Sequence, residues 1–129
     1  QPTSPIRSSS DIDMAIEQLM QENTNSLVSV SLSEDHHPDY TFTINKTNNL
    51  IPWNGNDVTP KRRQDMSQAY CLNGSIYLSY TDKYLKKKTF YYKGVSPFIM
   101  PKHKSFDIDD AIDFLCVEAI LKNIETLEN

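Results

Sequence analysis

The sequence predicts a single α/β domain, and three observations predict it: an amphipathic helical stripe near each end of the chain, short runs of β-branched and aromatic residues between them, and turn residues where the period changes. A composition of 38% hydrophobic and 23% charged residues over 129 positions suits one folding unit with a limited core and argues against wholesale disorder. The chain starts at Gln1-Pro2-Thr3 without an initiator methionine, so it is expected to be a piece of a longer protein. No apolar run approaches the roughly 20 residues that cross a bilayer, and the polar start lacks a basic-then-apolar signal pattern. No membrane partner is expected, and a cytoplasmic location is the default.

In chain order, Asp11 to Gln21 is the first helix, with Ile12, Ala15, Ile16, Leu19 and Met20 at i, i+3, i+4, i+7, i+8. Ser10 is its expected cap, and Asp13 stands three residues on as the acid of a capping box. After the turn residues Glu22 to Asn25, Leu27 to Leu32 reads as a strand with Val28, Val30 and Leu32 on one face, suited to a mostly parallel sheet. Tyr40, Phe42 and Ile44 alternate as a second strand before the Asn-rich turn Asn45 to Asn49, which points to a hairpin or a flap. Asn73-Gly74 reads as a turn that opens a strand over Ser75 to Tyr80. Thr81-Asp82 starts a short helix with Lys86 to Lys88 as its solvated tail, and Phe98-Ile99-Met100, between Pro97 and Pro101, is an edge strand. The last helix starts near Asp109 or Asp110 and carries Ala111, Ile112, Leu115, Cys116, Ala119, Ile120 and Leu127 on a broad apolar face, which makes Cys116 a core residue. Residues 45 to 92 form a stretch able to project from the sheet.

Charge excludes some functions and leaves others. Thirteen basic against 17 acidic residues give a net charge of -4, unfavourable for an extended nucleic-acid groove, so no nucleic-acid partner is expected. The basic residues cluster at Lys61 to Arg63, Lys83 to Lys88 and Lys102 to Lys104, where phosphates could bind locally. Cys71 and Cys116 are too few for a disulfide scaffold and lie in no metal-ligand spacing, so both are expected as free thiols. No glycine-rich phosphate loop and no serine-hydrolase elbow is present.

The chemistry-bearing residues then stand out by type and spacing. Asp107 and Asp109 lie two apart, so an extended backbone puts both carboxylates on one face, a hard oxygen pair suited to Mg²⁺; the competing reading is that they cap the helix that follows. Gln1, Thr3, Ser4 and Arg7 surround two prolines, either a polar loop that grips a sugar or a loop with no specific role. Arg62, Arg63 and Gln64 offer charge and directional donors for an anion, or a solvated surface. His36 and His37 point to opposite faces of an extended backbone, which favours a loop role over joint ligation. Phe90 and Tyr91 fit a substrate pocket, core packing or a dimer contact equally.

Taken in order, Gln1-Pro2-Thr3-Ser4-Pro5-Ile6-Arg7, Arg62-Arg63-Gln64-Asp65, Asn73-Gly74-Ser75-Ile76-Tyr77 and Met100-Pro101-Lys102-His103-Lys104-Ser105-Phe106-Asp107-Ile108-Asp109 resemble the acylneuraminate cytidylyltransferases, the CMP-sialic acid synthetases. The resemblance covers essentially all 129 residues and looks like the C-terminal portion of that fold, without its N-terminal CTP-binding segment. It implies a three-layer mixed sheet of the nucleotide-diphospho-sugar transferase kind, with residues 45 to 95 as an acceptor-site and dimerisation subregion. It also implies transfer of CMP from CTP to the anomeric hydroxyl of an acidic nine-carbon sugar, with Mg²⁺ assistance and release of pyrophosphate.

By the same resemblance, Gln1 contacts the acceptor, Arg62, Arg63 and Gln64 organise the anionic ligand, and Asn73 shapes the site. Phe90 and Tyr91 line the acyl pocket, Asp107 and Asp109 hold Mg²⁺, and the partner is a second copy in a homodimer. The chain departs from the family pattern at Cys71, where arginine is frequent, and at Lys102-His103-Lys104, where Arg-Glu-Arg is frequent. These departures admit legionaminate or pseudaminate as acceptor, and the 3-deoxy-manno-octulosonate enzymes share the reaction logic. The other function class to weigh is a noncatalytic dimerisation or regulatory fragment.

Overall fold

A computed structural model describes residues 1–55 and 62–128, with the side chain of Arg63 outside that description. The described chain forms two compact units, one from Gln1–Ser31 with Leu72–Asn129 and one from Leu32–Cys71. Lys61 of the expected basic run lies outside the described residues.

In the first unit, α1 covers Ser9–Gln21. Its cap is Ser8, two residues before the serine expected from the sequence. The box is closed by Asp11, whose carboxylate accepts from the Ser8 amide at 2.8 Å while the Ser8 hydroxyl accepts from the Asp11 amide at 3.2 Å. Asp11 wins over Asp13 because it also meets Lys104, whose Nζ lies 3.1 Å from it and 3.0 Å from Glu128. Burial pushes the Asp11 carboxyl up, but bonds from Ser8 and Lys104 outweigh it and hold it below its ordinary value. Burial likewise works against the Lys104 ammonium, and Glu128 and Asp11 outweigh it and raise it.

Strand β1, Ser26–Leu32, is central in a three-stranded sheet of order β4-β1-β5, where β4 is Tyr70–Ser79 and β5 is Ser96–Ile99. β5 runs parallel to β1, with Leu27 opposite Ser96 and Val30 opposite Ile99. On the other side, Ser26 meets Leu78 and Ser29 meets Ile76, so β4 runs the opposite way and the sheet is mixed, where the strand pattern had suggested mostly parallel. Ala15 and Leu19 of α1 pack with Leu27, Ile76, Phe98 and Met100 to form the core.

Helix α2, Thr81–Lys87, ends within the lysine run expected as its solvated tail, with Lys88 in the left-handed region at φ 56°. α3, Ala111–Lys122, is capped by Asp110, and after a break at Asn123 a single turn, α4, covers Ile124–Leu127. Its broad apolar face is not a core face here: Val117 is buried, whereas Ile112, Phe114 and Leu115 stand 70%, 58% and 62% exposed. Cys116 is exposed as well, which corrects its expected burial. No described helix is long and apolar enough to cross a membrane.

The second unit holds the expected hairpin, β2 at Phe42–Ile44 against β3 at Leu50–Pro52 in antiparallel register. Asn45 builds its turn, its Oδ1 accepting from the amides of Thr47 at 3.0 Å and Asn49 at 2.9 Å. Among the described residues, this unit also has single 3-10 turns at Pro38–Tyr40 and Arg63–Asp65.

Candidate functional site

Asn73 and Gly74 do not open β4 but lie inside it, and that placement organises the site. Gly74 has φ +72°, and a Cβ there would stand 2.5 Å from Gln1 Oε1 and 2.7 Å from Ser4 Oγ. The glycine is thus required twice, by the backbone and by the close passage of the Gln1–Ser4 turn. The local Asn-Gly signal was real, but the sheet uses it to admit a neighbouring segment instead of reversing the chain.

Asn73, 4% exposed, is the hub of a buried polar network. Its Oδ1 accepts from the Ser29 hydroxyl and from the Ser75 amide, and its Nδ2 donates to Ser105 Oγ at 2.9 Å. Its carbonyl lies 3.1 Å from Ser4 Oγ, which is also 3.1 Å from Asp107 Oδ1. The single Ser4 proton serves one of these acceptors at a time, so Asp107 is held without being fully consumed. Ile108 donates its amide to the Thr3 carbonyl at 2.8 Å, which ties the Asp107–Asp109 segment alongside the Gln1–Ser4 turn.

Two other acids perform the capping that competed for Asp107 and Asp109. Asp110 Oδ1 accepts from the amides of Ile112 at 2.7 Å and Asp113 at 3.1 Å, and Asp113 Oδ2 accepts from the amides of Asp109 at 3.0 Å and Asp110 at 3.1 Å. The Asp109 carboxylate is left exposed at the positive end of α3, with no protein partner among the described residues. No cluster of three or more histidine, cysteine or acidic residues suited to a metal occurs among the described residues. Two carboxylates alone fit a hard cation that completes its octahedron with water and substrate oxygens, and do not fit an all-protein cage.

Gln1 and Arg7 line an open cleft of about 260 Å³ with Ser75 and Tyr77. Arg7 Nη1 donates to the carbonyls of Gln1 at 2.9 Å and Ser4 at 2.6 Å, fixing the turn that carries Gln1. Tyr77 then links this cleft to the predicted aromatic pair, its ring centroid 5.5 Å from Phe90 and 6.1 Å from Tyr91. Phe90 also packs on Tyr84 at 4.7 Å, and its carbonyl accepts from Ser26 Oγ at 2.7 Å. Partial desolvation and the neighbouring Tyr77 hydroxyl push Tyr91, which is 45% exposed, up to about 12.

Gln1, Asn73, Asp107, Asp109, Phe90 and Tyr91 therefore all belong to the first unit. Arg62 and Gln64 belong to the second, where both side chains are exposed on the turn closed by the Asp65 amide on the Arg62 carbonyl at 2.9 Å. Sequence reasoning placed no weight on Tyr77, Ser29 or Ser105. Tyr77 stood in its motif as a strand residue, and the serines carry no signal of their own because a hydroxyl's role depends on what the fold sets opposite it.

No protein-family model matches the chain. Among curated proteins, it is 34% identical over 117 residues to an N-acylneuraminate cytidylyltransferase of Streptococcus agalactiae, an alignment covering 91% of this chain and 28% of that relative. It is 32% identical over 130 residues to a CMP-N,N'-diacetyllegionaminic acid synthase of Legionella pneumophila, covering 95% of this chain and 52% of that relative. It is 28% identical over 120 residues to post-translational flagellin modification protein B of Campylobacter coli, covering 93% and 50%. The chain thus spans between about a quarter and about a half of the length of these relatives.

Proposed function

The chain is homologous over 91% of its length to the acylneuraminate cytidylyltransferases, and from that kinship we propose that the protein it comes from transfers CMP from CTP to the anomeric hydroxyl of an acidic nine-carbon sugar, releasing pyrophosphate. The acceptor is N-acetylneuraminate or a close nonulosonic acid such as legionaminate, a choice kept open by the Legionella relative. Residues 1 to 129 supply the acceptor side and the metal ligands within a three-layer fold, the CTP-binding segment lies elsewhere in the protein, and two copies form a homodimer through the region of residues 45 to 95.

The observation that supports this reading is the division of labour among four aspartates: Asp110 and Asp113 cap α3, Asp107 accepts from Ser4 of the turn that carries Gln1, and the Asp109 carboxylate is exposed with no protein partner among the described residues. Asp107 and Asp109 would hold Mg²⁺, which when bound neutralises phosphate charge and lowers the pKa of a nearby hydroxyl. Gln1 orients the sugar from the cleft wall, and Arg7 keeps Gln1 in place. Phe90 and Tyr91 pack the acyl substituent while the neutral Tyr91 phenol donates. Arg62, Arg63 and Gln64 bind the anionic part of the ligand by charge-assisted hydrogen bonds.

The test mixes CTP, Mg²⁺ and a panel of nonulosonic acids with the full-length protein and, separately, with residues 1 to 129, following pyrophosphate and CMP-sugar. The full-length protein is expected to turn over one or more of these sugars, and Asp107→Asn to lower its kcat by roughly 10²-fold or more. The isolated chain is expected to be inactive. Absence of any CMP-sugar from the full-length protein would sink the assignment.

A further inference from the structure

His37, set aside as a loop residue by its sequence context, is 6% exposed and uses both ring nitrogens. Its Nδ1 accepts the Asp39 amide at 3.1 Å, acting as the cap of the Pro38–Tyr40 turn. Its Nε2 lies 2.8 Å from the Ser67 carbonyl. A carbonyl only accepts, so Nε2 must carry the proton, and the two contacts together define one tautomer. The His37 carbonyl is used as well, accepting from the Tyr40 amide at 2.8 Å.

Ser67 follows the Arg63–Asp65 turn by two residues. A second tie, from the Ser33 amide to the Ala69 carbonyl at 2.8 Å, fastens the same segment to the same loop. The two ties flank a cleft of about 180 Å³ lined by Leu32, Glu34, Met66 and Gln68, and the ring spans it from the His37 side to the Ser67 side. All of these residues belong to the second unit.

We propose that His37 is a positioning residue, a neutral imidazole strut that fixes the turn presenting Arg62 and Gln64 to the acidic acceptor. The proposal rests on the functional reading given above for those two side chains. The strut works because a rigid ring with one donor and one acceptor at opposite edges sets both the distance and the direction between two loops, which a flexible side chain cannot do.

The full-length protein, with His37→Asn and His37→Phe variants, tests it. Asparagine keeps the cap acceptor for the Asp39 amide but is too short for Ser67, and phenylalanine loses both contacts. Imidazole nitrogen NMR of the wild type is expected to show the Nε2–H tautomer, and amide exchange across residues 62 to 69 to quicken in both variants. The KM for the sugar is expected to rise by about five- to tenfold in His37→Asn, the worth of one positioning hydrogen bond, with kcat changed less than about twofold and KM for CTP unchanged. His37→Phe is expected to exceed this. Unchanged exchange and unchanged sugar KM in both variants would overturn the proposal, as would a fall in kcat with KM constant. If the wild type makes no CMP-sugar, the functional reading fails by itself; quickened exchange then supports the strut and unchanged exchange overturns it.

Discussion

Asp11 shows how one side chain can serve two structures. Its carboxylate closes the capping box of α1 and reaches Lys104, which also meets Glu128 beside the last helical turn. Asp11→Ala is expected to destabilise the protein by about 1–2 kcal/mol at neutral pH, measured from urea midpoints, since it removes the acid of the capping box and leaves the partly buried Lys104 ammonium with one partner. The sign of its pH dependence follows from the lowered carboxyl. The folded group titrates below the unfolded value of 3.8, so its contribution is complete above that pH and disappears as pH falls through the folded value. Wild type and variant should therefore converge in acid, and a stability gap that persisted there would refute the charged role. The sequence made Asp11 visible as an acid in the first turn, but its partner lies 93 residues away and no local pattern could name it.

At the scale of elements, the junction between residues 105 and 113 separates the acids that cap α3, Asp110 and Asp113, from the pair proposed to hold the ligand, Asp107 and Asp109. Asp110→Ala is expected to cost about 1 kcal/mol of stability with turnover of the full-length protein unchanged. Asp109→Asn is expected to leave stability within about 0.5 kcal/mol and lower turnover by roughly 10²-fold. Thermal melts and initial rates on the same preparations distinguish these outcomes, and a reversal of the two phenotypes would mean that the carboxylates had been assigned the wrong way round. Helix and strand existence was legible here from periodicity and turn residues: α1, β1, α2 and α3 lie close to where the pattern placed them, while β5 runs through Pro97 over Ser96–Ile99 and not from Phe98 to Met100, and β3 of the hairpin carried no signal of its own. The exact caps were less legible for α1, because Ser8 and Ser10 are equivalent in propensity and each has an aspartate three residues on, Asp11 or Asp13, of which Asp11 alone meets Lys104; for α3, Asp110 has Asp113 three residues on whereas Asp109 has Ile112. Asn73-Gly74 was legible as an unusual backbone position and not as a strand interior, since only the passage of Gln1 and Ser4 beside Gly74 explains its use there.

At the scale of the whole molecule, α3 is apolar on more than one side, yet within the described residues Ile112, Phe114 and Leu115 are open to solvent. A helix of that kind is ordinarily a core helix. The 129-residue chain is expected to bind an environment-sensitive apolar dye strongly and to self-associate on sedimentation, the paired substitutions Ile112→Gln and Leu115→Gln to weaken both, and the full-length protein to bind less dye per chain. Dye binding unaffected by the substitutions would place the apolar surface elsewhere. By itself, the sequence determined the α/β class, the order of the main helices and strands, and the motifs that mark the chain as a relative of the cytidylyltransferases, because local periodicity, turn chemistry and short motifs are properties of neighbouring residues. Only the tertiary structure decided that Asp110 and Asp113 cap α3 while Asp107 meets Ser4, that Asn73 is a buried brace, and that His37 carries one tautomer. Each of these depends on which hydrogen-bonding group distant parts of the chain bring opposite it, and that pairing is fixed by the packed fold and not by the residues on either side.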